Sequence, residues 1–124
     1  MQQNNAGDTA EAKTYPTPPN SDGFFFEDET NEALKIESKT YENGKKVMRV
    51  TLSDGTVCML RELSAREMEI NVKRLCGDNK DHVEFAMVSV ATKFGEEVKT
   101  IEDIMEMRSK DFINLKVANS QINF

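Results

Sequence analysis

The chain has 124 residues, 38% hydrophobic and 31% charged, enough for one domain with a modest core. No apolar run approaches the roughly 18 residues of a membrane span, and the N-terminus lacks the basic and apolar regions of a signal peptide, so the expected location is the cytoplasm of the cell that makes it. The net charge of −6 sits entirely in residues 1–32, where seven acids face only Lys13, while residues 33–124 are neutral overall; a neutral body with an acidic arm is a poor nucleic-acid binder, because phosphate contacts need clustered Lys and Arg.

Residues 1–32 read as a disordered acidic N-terminal arm. Gln, Asn, Thr, Pro, Asp and Gly dominate, and all three prolines (Pro16, Pro18, Pro19) lie here. Such a composition buries too little surface to offset the entropy of ordering. Phe24, Phe25 and Phe26 interrupt it. They form either a short docking motif or an aromatic patch that tucks back onto the edge of the domain.

Residues 33–124 are expected to form a single α+β domain: a small antiparallel β-hairpin or meander followed by three to four helices. Leu34 to Lys39 reads as a short edge strand, and Asn43-Gly44 as a turn. Val47 to Ser53 alternates, with Met48, Val50 and Leu52 on one face. Asp54-Gly55 then predicts a two-residue hairpin turn with positive φ at both positions. On the return strand Cys58 and Leu60 share a face opposite Val57, Met59 and Arg61.

A helix follows at once. Ser64-Ala65-Arg66-Glu67 fits a capping box, with Leu63 and Met68 placed as a hydrophobic staple. Ala65, Met68, Val72, Leu75 and Cys76 make one apolar stripe, and Gly77 closes the helix. A second helix is expected over His82 to Phe94, capped by Asp78 or Asp81, ended by Gly95 and apolar over most of its surface. Thr100 caps a short helix to about Met107 that buries Ile101, Ile104 and Met105. Ser109 caps a last helix, Lys110 to about Ser120, with Phe112, Leu115 and Ala118 or Asn119 on its inner line. Ile113 and Val117 fall on another line, and Ile122 and Phe124 leave an apolar end.

The chemistry-bearing residues do not converge in the sequence. His82 is the only histidine and reads as a helix-start residue beside Asp81. No Cys or His pair has zinc spacing, no G-x-S-x-G is present, and no glycine-rich loop follows a strand. Cys58 and Cys76 sit in apolar patterns and read as buried small hydrophobes. An enzyme, a cofactor and a metal site are therefore not expected. The methionines Met48, Met59, Met68, Met87, Met105 and Met107 read as core filling or as an adaptable groove for a helical client.

The string V-T-L-x-D-G-T-V-x-x-L-R-E-L-S-A-R-E-M, Val50 to Met68, resembles the tail assembly chaperones of tailed bacteriophages, especially the Mu-like group. Asp111-Phe112-Ile113-Asn114-Leu115 matches the "D-x-x-x-L" segment of their later helices. The resemblance covers about Lys45 to Leu115, and the long Phe-bearing acidic arm departs from it. It implies a non-catalytic protein of the bacterial host cytoplasm. Such a protein binds the tape measure protein, keeps it soluble, helps recruit tail tube protein and is absent from the mature virion. In that family a ribosomal frameshift often makes a longer second product. The expected client surface is Ile113, Val117, Ile122 and Phe124, which lie off the core-facing line. The rival readings are a minor virion structural protein (a tail or head–tail connector subunit) and a small regulatory adaptor docking through Phe24, Phe25 and Phe26.

Overall fold

A computed structural model describes residues 23–124. Its fold is α+β, with a four-stranded antiparallel sheet of order β1-β2-β3-β4 and five α-helices. The strands are β1 (Ile36–Thr40), β2 (Lys46–Thr51), β3 (Val57–Arg61) and β4 (Thr92–Phe94). Register places Ile36 and Ser38 beside Val50 and Met48, and those beside Cys58 and Leu60. All six are buried, because strand alternation gathers them on one face.

Both hairpins turn in the same way, and it is not the two-residue turn expected from Asp54-Gly55. The Gly55 N–H donates to Leu52 O (2.9 Å) and the Leu52 N–H to Thr56 O (2.8 Å). Tyr41, Gly44 and Lys45 repeat this pattern in the first hairpin. Only the glycines have positive φ, +84° at Gly44 and +89° at Gly55. Each loop is thus three residues long, a type I turn closed by a left-handed glycine. The residue before each glycine keeps ordinary φ and uses its side chain instead. Asp54 Oδ1 accepts from the Thr56 N–H (2.9 Å), and Asn43 Oδ1 from the Lys45 N–H (3.0 Å).

Two features correct the expected boundaries. The first is at the N-terminal side. Residues 23–32, expected in the arm, belong to the domain. Asp28 caps helix α1 (Glu29–Leu34) by accepting from the Asn31 N–H at 2.7 Å. Phe25 exchanges backbone hydrogen bonds with Ser38 along the free edge of β1. The rest of the expected arm, residues 1–22, lies outside the described residues. The second is β4, which was expected as the end of a helix. Helix α3 (Val83–Ala91) stops at Thr92, and Thr92-Lys93-Phe94 pairs with β3. Extended β-branched and aromatic residues gain a strand partner there that no local pattern announces.

The capped helix after β3 forms as expected at its start. Glu67 N–H donates to Ser64 Oγ (3.1 Å), and Ser64 N–H to Glu67 Oε1 (3.0 Å). Its body differs. Glu67–Val72 is a π-helical turn leading into α2 (Lys73–Cys76). A π turn takes one residue more than an α turn, which aligns Met68, Val72 and Cys76 and drops Leu75 off the stripe. Val72 and Cys76 are buried, whereas Leu75 is 47% exposed. Asn79, rather than Asp78 or Asp81, caps the 3-10 turn Lys80–His82 that precedes α3. Thr100 and Asp103 complete a capping box on α4 (Ile101–Met105), which buries Ile101 and Ile104 but leaves Met105 exposed.

Helix α3 is central, with two apolar sides. Val88 joins the sheet core with Ile104 and with Leu115 and Ala118 of α5 (Ser109–Asn123). Ala86 and Met87 face a second core with Val72, Cys76 and Ile101. Met48 and Met87 fill core as expected of them. Helix α5 starts after Arg108 without a side-chain cap, so Ser109 is its first residue rather than its cap.

Polar side chains of α5 tie the chain together. Asp111 accepts from the Ser53 N–H (3.0 Å) and Oγ–H (2.8 Å). Asn114 donates to Leu34 O, and Gln121 and Asn31 exchange amide hydrogen bonds at 2.9 and 3.0 Å. Asn123 accepts from the Leu63 N–H (2.7 Å) and donates to Arg61 O (3.2 Å).

Candidate functional site

The Leu60-Arg61-Glu62-Leu63-Ser64 string is a joint between sheet and helix. Leu60 is core, and Leu63 packs beside Met68 on the second cluster. Glu62 accepts from the Lys46 N–H at 2.9 Å. Arg61 reaches forward to the capping glutamate, with Nη1 2.9 Å and Nη2 2.6 Å from the two Glu67 oxygens. This two-point pairing fixes the helix direction relative to β3. Hydrogen bonding from Arg61 holds the Glu67 carboxyl down at about 2, from an ordinary 4.5. A carboxyl lowered on folding stabilises the fold above its unfolded value and loses that contribution as it protonates. The part of stability owed to Glu67 is therefore complete above about pH 4.5 and fades as pH falls toward 2. Glu67→Gln is expected to flatten acid unfolding in that window. An unchanged denaturation profile over the window would remove the pair from the account.

The apolar residues expected to meet a client separate into two groups. Ile113 is 52% exposed on α5, and Phe124, just beyond the last residue of that helix, is 81% exposed. Val117 and Ile122 are half-buried and both pack against the sheet core. Both are corrected from client surface to packing, because side chains held against the core leave little surface for a client. Phe24 is likewise core. It is 1% exposed, with the Arg49 guanidinium carbon 4.1 Å from its ring centroid. Phe25 and Phe26 are half-buried beside it along β1. The aromatic run is thus a patch on the domain's own edge.

A groove escaped the sequence reading. It lies between the helix after β3, α3 and the loop that follows β4, with a volume of ≈ 740 Å³. Arg74 and Leu75 line it from α2, Val90 from α3, Val98 from the loop after β4 and Ile101 from the start of α4. An adjoining hollow of ≈ 390 Å³ shares Arg61, Val90 and Val98 with it and continues past Met59 and Lys93. Ser89 Oγ–H donates to Lys99 O (2.6 Å) and pins the loop against α3. Val98, at 74% exposure, stands at the rim. Its signal in the sequence is one valine alone in Glu96-Glu97-Val98-Lys99-Thr100.

Cys58 is fully buried, and burial pushes its thiol up to about 12, so it is a neutral, unreactive hydrophobe. Cys76 is buried as well. His82 meets Phe85 edge-on at 6.2 Å and lies 3.2 Å from the Asn79 amide. Among the described residues no group of three or more His, Cys, Asp or Glu side chains could hold a metal ion, and no helix is long and apolar enough to cross a membrane.

No protein-family model matches the chain, and no curated protein or solved structure matches it either.

Proposed function

We propose that this chain is a tail assembly chaperone of a tailed bacteriophage, a non-catalytic protein that binds the tape measure protein and keeps it soluble during tail assembly. The observation that carries the reading is the outward line from α5 to Phe124, along which Ile113 and Phe124 expose apolar surface. A helical client can lay its own apolar stripe along such a line. The resemblance of Val50 to Met68 supports the same reading. Within it, the residues that resemble the family build the hairpin and the capped helix, and Asp111 and Leu115 seat α5 on them. The chaperone works in the host cytoplasm, hands over to tail tube protein and leaves before the virion is complete.

Co-expression with the tape measure protein tests it. The client is expected to stay soluble and to co-purify with this chain. Ile113→Asp combined with Phe124→Asp is expected to weaken co-purification by about tenfold or more, as for loss of an interface anchor, with thermal unfolding unchanged. A client equally insoluble with and without this chain would sink the reading. Recovery of the chain from purified particles by mass spectrometry would favour a structural subunit instead.

A further inference from the structure

We propose that the groove between Leu75 and Val98 is a second docking site, and that it takes an acidic amphipathic helix of a partner protein. It shares no residue with the outward line of α5 and does not depend on the identity of the client bound there. Leu75 and Val98 both line it and present apolar surface at 47% and 74% exposure, which an amphipathic helix can cover with its apolar face.

The charge at the rim selects the partner. Arg61, Arg74, Lys93 and Lys99 border the groove and its continuation, against Glu102 as the one acid. This is a basic lining on a part of the chain, residues 33–124, that carries no net charge. Arg61 is engaged by Glu67 and Lys99 approaches Glu97 at 3.7 Å, but among the described residues Arg74 has no ion-pair partner. Acidic side chains flanking an apolar stripe would meet Arg74 at the groove and Lys93 along its continuation.

The sheet edge beside the groove excludes an extended occupant. Thr92 N–H donates to Val88 O. Phe94 N–H donates to Glu97 O (2.7 Å), and its own carbonyl accepts from Glu97 N–H (2.9 Å). With these groups of β4 already used, an incoming peptide finds little backbone to pair with and must satisfy its own. An α-helix does so.

The test uses a labelled synthetic helical peptide with leucines on one face and glutamates flanking them, and a matched peptide with lysines in place of the glutamates. Fluorescence anisotropy with the full chain is expected to show the glutamate peptide binding about tenfold more tightly than the lysine peptide, with the difference shrinking at high salt. Arg74→Glu is expected to reverse the preference, and Val98→Asp to abolish binding, while Ile113→Asp leaves it unchanged. Val98 is so exposed that its substitution leaves the fold intact, which circular dichroism would verify. Equal affinity for the two peptides, absence of binding, or binding that survives Val98→Asp would each overturn the proposal. So would a dimer of the chain alone that Val98→Asp dissociates, because the groove would then belong to a second copy.

Discussion

Leu115→Ala is expected to lower the free energy of unfolding by about 2–5 kcal/mol, the range for truncating a fully buried leucine. Leu115 is 0% exposed and sits in the sheet core with Met48, Val50, Leu60 and Val88. It is a fully buried side chain of α5 in a cluster that also draws on β1, β2, β3, α3 and α4, so the cavity left behind borders several elements and cannot close by moving one of them. The loss is a large part of the 5–15 kcal/mol on which a domain of this size rests. Ile113→Ala, two residues away on the same helix, is the internal control. Ile113 is 52% exposed, and its truncation should change stability by no more than about 0.5 kcal/mol. Urea denaturation of the two variants decides the matter. Similar losses would mean that α5 is seated by a different face, and the client surface proposed for it would fall too.

Asp111→Ala is expected to cost about 2 kcal/mol, through a different interaction. Its buried carboxylate accepts from both the N–H and the Oγ–H of Ser53, across 58 positions of sequence. Hydrogen bonds to a charged acceptor are stronger than neutral ones, and Asp111 also lies in the first turn of α5, where negative charge is favoured by the helix dipole. Ser53→Ala removes only the hydroxyl bond and should cost about half as much. The double variant should lose less than the sum of the two, because both act on one contact. Strict additivity by denaturation would show that Asp111 and Ser53 stabilise separate things.

These two residues also show how the sequence is read. Leu115 was legible, because it recurs with Phe112 and Ala118 at helical spacing. Asp111 was legible only as part of a family-like string, and nothing local announced that its partner would be a serine in a hairpin turn. Ile113 and Phe124 were legible as surface because they lie off the inner line. Val117 and Ile122 were not, since their burial depended on how α5 lies against the sheet. The groove was illegible for the same reason. Its lining includes Leu75, which looked like stripe, and Val98, a lone valine among charged residues, and only folding brings them to one groove.

Apolar alternation in the sequence announced the buried face of Met48, Val50, Cys58 and Leu60 and, with the helical stripes, the α+β class. The sequence by itself also determined features closed by hydrogen bonds within a few residues: the places of the two glycine turns, though not their three-residue form, and the Ser64–Glu67 and Thr100–Asp103 caps. Their partners are near neighbours in the chain, so no other part of the molecule is needed to choose them. The tertiary structure decided the rest. Phe24 became core because Arg49 and the edge of β1 were there to cover it. Thr92 to Phe94 became a strand because β3 had an edge left to pair. Leu75 faced outward because the π turn aligned Val72 and Cys76 with Ala86, Met87 and Ile101. In each case the neighbours in sequence do not choose the environment, and contact with distant residues does.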